Sequence, residues 1–162
     1  MLKDKINIRL ANQNDREKVF LILEATNFFR PEELLIAYEV FDSSVKPDSR
    51  DGYISYISEK NNIVTGWVCF GATPCTRGTF DIYWIAVDPA VQSQGIGGKL
   101  LSAAEKEIKK LQGRLITVDT SGTQRYNPTR RFYEKNGYLQ AACLNDFYNT
   151  DDSKIIYLKQ VS

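Results

Sequence analysis

Val87-Asp88-Pro89-Ala90-Val91-Gln92-Ser93-Gln94-Gly95-Ile96-Gly97-Gly98-Lys99-Leu100-Leu101 runs from the end of an apolar strand, through a loop dense in glycine, into an amphipathic helix. Glycine lets the backbone turn tightly and lets a ligand approach with no Cβ in the way. The first N–H groups of a helix lack intrahelical partners, and the helix dipole adds partial positive charge there. Together these features make a seat for phosphate oxygens. A charge-assisted hydrogen bond contributes about 1.5–3 kcal/mol, so a few amides could anchor a pyrophosphate with little help from Lys or Arg. The alternative is a glycine-rich helix entry that binds nothing. Two other phosphate loops do not fit. A P-loop needs Gly-x-x-x-x-Gly-Lys-Ser/Thr, and here Lys99 is followed by Leu100. The dinucleotide fingerprint needs Gly-x-Gly-x-x-Gly at the first strand–helix turn of a βαβ unit, whereas Gly95-x-Gly97-Gly98 comes after several strands.

Upstream of the loop, Thr79 to Val87 is the most continuous apolar strand and reads as central and covered on both faces. Before it, Ile6 to Leu10 alternates apolar and polar, as a half-buried strand does. Asn12 to Asp15 supplies capping residues for a helix with Val19, Phe20, Ile22 and Leu23 on its apolar face, ending near Thr26-Asn27. Pro31 with Glu32 and Glu33 opens a second helix carrying Leu34, Leu35, Tyr38 and Phe41. Tyr53 to Ile57 and Ile63 to Phe70 read as an antiparallel hairpin about Asn61-Asn62, with Gly66 as a bulge. Downstream, the helix after the loop buries Leu100, Leu101, Ala104, Ile108 and Leu111, with Gly113 as its C′ residue. Leu115 to Val118 is a strand, Asn127-Pro128 opens a helix to near Lys135, and Asn136-Gly137 stops it. Tyr138 to Cys143 and Ile155 to Leu158 are the last strands, with Asn149 to Ser153 as a polar turn. The order βααβββαβαββ implies an α/β (α+β) fold: one domain over residues 1–162 with a mixed, mostly antiparallel sheet of about seven strands and helices on both faces.

Composition agrees. The chain has 162 residues, 43% hydrophobic and 25% charged, enough for one core without metal or disulfide staples. Lys plus Arg total 21 against 20 Asp plus Glu, a net charge of +1, which gives no sign of a nucleic-acid groove or an anionic membrane partner. Histidine is absent, which excludes Ser-His-Asp and Cys-His catalysis and His-ligated metals. Cys69, Cys75 and Cys143 match no zinc or redox spacing and read as free, mostly buried thiols, with a Cys69–Cys75 disulfide as the alternative. With no apolar signal run and no membrane span, a soluble, cytoplasmic protein without a bound metal is expected.

The spacing Gln92-x-x-Gly95-x-Gly97, with Val87-Asp88-Pro89 before it and Leu100-Leu101 after it, resembles motif A of the GCN5-related N-acetyltransferases (GNAT). Asn127-Pro128-Thr129-Arg130-Arg131-Phe132-Tyr133-Glu134-Lys135-Asn136-Gly137-Tyr138 resembles the family's second signature, Asn-x-x-Ala-x-x-Phe-Tyr-x-x-x-Gly-Phe, with Arg130 where a small residue is usual. The element order also fits the family fold from Ile6 to Leu158. The resemblance implies an acetyl-CoA-dependent N-acetyltransferase that acts by direct attack in a ternary complex. The acceptor would be a primary amine of a small molecule, an amino acid or a peptide or protein. A homodimer, common in the family, is a further expectation.

The resemblance also implies site residues. Backbone groups of Ile85, Ala86 and Val87 would pair with the pantetheine arm of acetyl-CoA, as a free strand edge can. The amides of Gln94, Gly95, Ile96, Gly97 and Gly98 would hold the pyrophosphate, with Gln92 and Lys99 in the same motif. Asn127 either contacts the cofactor or is a plain N-cap. Tyr133 would stand near the sulfur as the acid, since a phenol of pKa about 10 can protonate a thiolate while staying neutral at pH 7; its alternative is a core aromatic. Asp81 stands where many members carry a glutamate base. A carboxylate near 3.9 and an ammonium near 10.4 differ by about 6.5 units, or roughly 9 kcal/mol, so Asp81 would work through water or by attracting the ammonium. Otherwise it caps a turn or pairs with Arg77. Tyr83 shares its strand face and would line the acceptor pocket or belong to the core. Phe28, Phe29 and Arg30 fall where relatives recognise the acceptor. Arg30 either binds a carboxylate or is solvated. The segment Asn145 to Asp152, with Phe147 and Tyr148, could close over the site. The competing class is a catalytically silent acyl-CoA-binding sensor or interaction domain, which would keep the glycine loop and have no use for Asp81 or Tyr133.

Overall fold

A computed structural model of the chain describes residues 5–161. The elements are β1 (Ile6–Leu10), α1 (Arg16–Ala25), α2 (Pro31–Val45), β2 (Tyr53–Lys60), β3 (Ile63–Ala72), β4 (Thr79–Val87), α3 (Ile96–Lys110), β5 (Leu115–Ser121), α4 (Asn127–Lys135), β6 (Leu139–Asn149) and β7 (Asp152–Gln160). Their order is the βααβββαβαββ expected from the sequence. The strands form a mixed seven-stranded sheet in the order β1-β2-β3-β4-β5-β7-β6. The chain forms two compact units: one runs to Gly71 and adds Trp84–Glu107, the other is Ala72–Tyr83 with the chain from Ile108 onward.

In the first unit, a reciprocal cap starts the helical layer. Asn12 Oδ1 accepts from the Asn14 N–H at 2.9 Å, and Asp15 Oδ2 accepts from the Asn12 N–H at 2.8 Å. Asp15 is buried, and Arg9 grips both its oxygens at 2.9 Å, so the buried charge is paired. The core gathers Val19, Ile22 and Leu23 of α1 with Val40 and Phe41 of α2 against Trp67 of β3. The stripe on α2 runs through Ala37, Val40 and Phe41 and leaves Leu35 62% exposed, so the face expected through Leu35 is rotated outward. The β2–β3 turn has Asn61 and Asn62 at φ 53° and 63°, the double left-handed geometry that asparagine tolerates. The register slips at Ser58/Glu59, beside Gly66. A Cβ on Gly66 would lie 2.9 Å from Ala86 O, Leu100 Cδ1 and Ser58 Oγ, so this close approach of β4 and α3 to β3 requires glycine.

In the second unit, β4 pairs with β5 in parallel only at Thr79, Phe80 and Asp81. On its other edge β5 is paired with β7 along its whole length, from Leu115–Gln160 to Ser121–Lys154. β7 then pairs with β6. Three local expectations are corrected here. Gln112, at φ 63°, takes the left-handed position after α3, and Gly113 follows it with its N–H on Ile108 O at 2.8 Å. Leu111 is 46% exposed, because α3 has ended at Lys110. The segment Asn145 to Asp152 is the end of the β6–β7 hairpin rather than a separate loop: it is closed by the Asn149–Asp152 pair, and the register is irregular between Leu144 and Asn149.

All three cysteines are free. Cys69 is buried, which pushes its thiol up to about 12, whereas Cys75 and Cys143 are exposed, against the expectation of mostly buried thiols. Among the described residues no helix is long and apolar enough to cross a membrane.

Candidate active site

The glycine loop belongs to the first unit. Asp88 turns the chain out of β4: its N–H donates to Thr65 O at 2.8 Å, and its Oδ1 accepts from the Ala90 N–H at 3.0 Å. Lys18 Nζ balances the same carboxylate at 3.1 Å. Gln92 folds back on the strand end, its Nε2 donating to Val87 O at 3.3 Å. Ser93 (φ 66°) and Gly95 (φ 75°) then reverse the chain in the left-handed region. A Cβ on Gly95 would meet nothing within 4 Å, so space is open beside it. Ile96 buries its side chain and pins the start of α3.

The first backbone bond of that helix is Lys99 N to Gly95 O, at 3.1 Å. Ahead of it, the amides of Gln94, Gly95, Ile96, Gly97 and Gly98 have no protein acceptor among the described residues. Residues 92–95 are exposed. Lys60, at the β2–β3 turn, reaches Gln94 Oε1 with its Nζ at 3.4 Å and brings a cation beside the loop. Successive unpaired N–H groups, a helix dipole and open space suit a diphosphate. The contribution of Lys60 was invisible in the sequence because a hairpin turn, 34 residues away, delivers it.

The residues between α1 and α2 lie in the same unit. Phe29 packs edge-on to Trp84 of β4, with ring centroids 5.0 Å apart, and Phe28 is part-buried. Arg30 is 60% exposed, with Glu32 and Glu33 at 3.4 and 3.5 Å.

The second unit carries the other candidates. The Asp81 carboxylate accepts from the Thr73 hydroxyl at 2.7 Å and from the Thr117 hydroxyl. These hydroxyls, rather than Arg77, are its partners. Tyr83 lies on the same strand face and is 38% exposed. Tyr133 is 4% exposed, and its ring touches those of Phe132, Tyr138 and Tyr157 at centroid distances of 5.3, 5.6 and 6.1 Å. Its hydroxyl has no hydrogen-bond partner among the described residues. Burial pushes the phenol above its ordinary value of 10.

Asn127 is the first residue of α4, one past the cap position held by Tyr126. Its Oδ1 accepts from Arg130, which also donates to Ser121 O and, at 3.0 Å, to Thr123 O. Arg130 thus ties the first turn of α4 to the end of β5. Asp81 and Tyr133 serve opposite faces of this unit's sheet. Asp81 lies beside Thr117 of β5, whereas Tyr133 packs on Tyr157, which pairs with Val118. Neighbouring residues of one strand face opposite ways. A carboxylate thus stands on one face and a phenol on the other.

A family model described as the acetyltransferase (GNAT) domain matches residues 51–140. The chain superposes on a GNAT-family protein from Desulfovibrio desulfuricans with a TM-score of 0.93 at 38% identity, covering 98% of this chain and 100% of that one. The fold is shared with the ribosomal-protein-S18-alanine N-acetyltransferase of Escherichia coli (TM-score 0.79, 19% identity, 98% of this chain and 95% of that one). It is shared as well with yncA from Salmonella typhimurium, solved with its cofactor acetyl-CoA (TM-score 0.72, 21% identity, 97% and 94%). No curated protein matches the chain.

Proposed function

Since the chain belongs to the GCN5-related N-acetyltransferase family, we propose that it moves an acetyl group from acetyl-CoA to a primary amine of a small molecule, an amino acid or a peptide, with both reactants bound at once. The observation that carries this is the run of amides from Gln94 to Gly98, which opens in the exposed stretch 92–95 and has no protein acceptor among the described residues. In the first unit those amides hold the pyrophosphate, Gln92 shapes the loop, and Lys60 and Lys99 add charge. Ile85, Ala86 and Val87 offer backbone groups to the pantetheine arm, the Val87 carbonyl also accepting from Gln92. Phe28, Phe29 and Arg30 border the acceptor. We place the reaction in the cytoplasm, in keeping with three free thiols.

Acetyl-CoA supplies the acyl thioester. The second unit supplies the proton handling. The Tyr133 hydroxyl keeps its proton at neutral pH and, having no partner among the described residues, gives it to the departing sulfur. Asp81, already accepting two hydroxyl hydrogens, acts through its charge, which draws the substrate ammonium, and the ammonium proton leaves through water. Tyr83 lines the amine, and Asn127, steadied by Arg130, orients the start of α4 toward the cofactor.

A second reading, a silent acyl-CoA-binding module, draws on the engagement of Asp81 and Asn127 by protein side chains. Titration calorimetry with acetyl-CoA and a thioester-release screen across amines separate the two. The first reading expects a Kd below about 1 mM and turnover with at least one amine. Binding with no turnover across the panel leaves the silent module, and no binding at all ends both.

A further inference from the structure

Thr120 Oγ1 is the one buried side-chain polar atom without a hydrogen-bond partner among the described residues, and Thr120 is only 6% exposed. A buried hydroxyl left unpaired is costly, and protein interiors seldom keep one without a reason. Its surroundings do not lack donors and acceptors. The next hydroxyl along, on Ser121, reaches Asp152 at 2.6 Å; Thr117 reaches Asp81; Arg130 reaches the Ser121 carbonyl. Each of these groups is matched, whereas the fully buried Thr120 Oγ1 has no partner among the described residues.

The position of Thr120 says what could complete it. The parallel register between β5 and β4 ends at Thr117, three residues earlier, while the other edge of β5 remains paired with β7, Thr120 lying opposite Ile155. Thr120 stands two residues beyond Val118 and so shares its face. Val118 pairs with Tyr157, and Tyr157 carries the ring of Tyr133. Thr120 therefore occupies the sheet face on which Tyr133 packs, beyond the last β4–β5 pair at Asp81–Thr117. The residues around it on that face, Val118 and Ile155, are apolar and buried. Such surroundings penalise a charged group and suit a neutral acceptor.

We propose that Thr120 is a ligand-binding residue whose O–H donates to a carbonyl oxygen of the acyl-CoA arm, either the thioester carbonyl or an amide of the arm. The assignment rests on the acyl-CoA reading above. It makes the orphaned hydroxyl a group that completes its hydrogen bond only in the complex.

Thr120→Val keeps the shape and removes the oxygen, and Thr120→Ser keeps the oxygen. The free Thr120→Val protein should melt at the wild-type temperature or about 2–4 °C higher, since the oxygen it loses had no partner. Calorimetry with acetyl-CoA and with CoA should show Thr120→Val weakened about five- to tenfold and Thr120→Ser close to wild type. Weakening toward acetyl-CoA alone assigns the thioester carbonyl; weakening toward both ligands assigns an amide of the arm. Two results overturn the proposal while leaving the acyl-CoA reading intact: Thr120→Val binding both ligands as tightly as a wild type that binds, or a free Thr120→Val protein melting several degrees lower. A wild type that binds neither ligand overturns both proposals.

Discussion

Replacing Tyr133 by Phe removes one oxygen from a ring that otherwise stays where it is. The ring contacts at 5.3, 5.6 and 6.1 Å are made by carbon and survive the change. The hydroxyl has no partner among the described residues, so no hydrogen bond to them is lost. Stability should therefore stay within about 0.5 kcal/mol, a shift of roughly 2 °C or less in Tm for a chain of this size. The rate should behave differently. Loss of a positioned general acid lowers turnover by about 10²- to 10⁴-fold, and even the lower figure is about 2.7 kcal/mol of barrier. The variant should thus be folded, bind acetyl-CoA nearly as well as wild type, and turn over at least about 100-fold more slowly. Thermal melts, calorimetry and steady-state thioester release at saturating acetyl-CoA read the three quantities separately. An acetyl thioester whose leaving thiol is more acidic than CoA needs less protonation, so the gap between variant and wild type should narrow with it. A kcat within twofold of wild type would remove Tyr133 from the chemistry. A fall of many degrees in Tm would show instead that the hydroxyl is held inside the protein.

Other measurements address the remaining parts. Gly97→Val places a branched side chain among the free amides; acetyl-CoA affinity should drop at least about tenfold while the far-UV spectrum is preserved, and unchanged affinity would refute the phosphate assignment. Asp81→Asn takes the charge away from the Thr73 and Thr117 hydroxyls. Tm should fall by a few degrees and kcat by at least about tenfold, with acetyl-CoA affinity held; an unchanged kcat would leave Asp81 a purely structural residue. Tyr133 and Tyr157 are both buried and both titrate above 10. Burial first, then the Glu134 carboxylate, pushes Tyr157 up to about 12. A raised folded value means stability is whole below about pH 10 and is lost above it, by about 1.4 kcal/mol per pH unit for each tyrosine. Urea melts on either side of about pH 10 should show that slope, and a flat profile would contradict the burial of these phenols.

Local chemistry made much of this molecule legible. Pro31 starts α2, the Asn61-Asn62 pair forms the left-handed turn of a hairpin, and Gly137, at φ 86°, stops α4. Each follows from backbone freedom at one or two residues. The strand–glycine loop–helix run was equally plain, because φ preferences and apolar spacing are written in consecutive residues. Legibility failed where a distant partner decided the outcome. Leu35 fits the apolar period of α2 as well as Ala37 does, and only the position of the core puts one outside and the other inside. β6 runs on to Asn149, where the Asn149–Asp152 pair closes the hairpin with β7, although its polar end reads as a loop.

The amino-acid sequence by itself determined the order of elements, the glycine-rich helix entry at residues 94–98 and the family to which it points, since these depend on residue type at short spacing. Tertiary structure alone decided that Thr117, 36 residues away, holds Asp81, that Arg130 occupies Asn127, that Asp81 and Tyr133 lie on opposite faces, and that the Thr120 hydroxyl has no partner among the described residues. Hydrogen-bond satisfaction and sheet register are settled between segments far apart in the chain, and no local pattern encodes them.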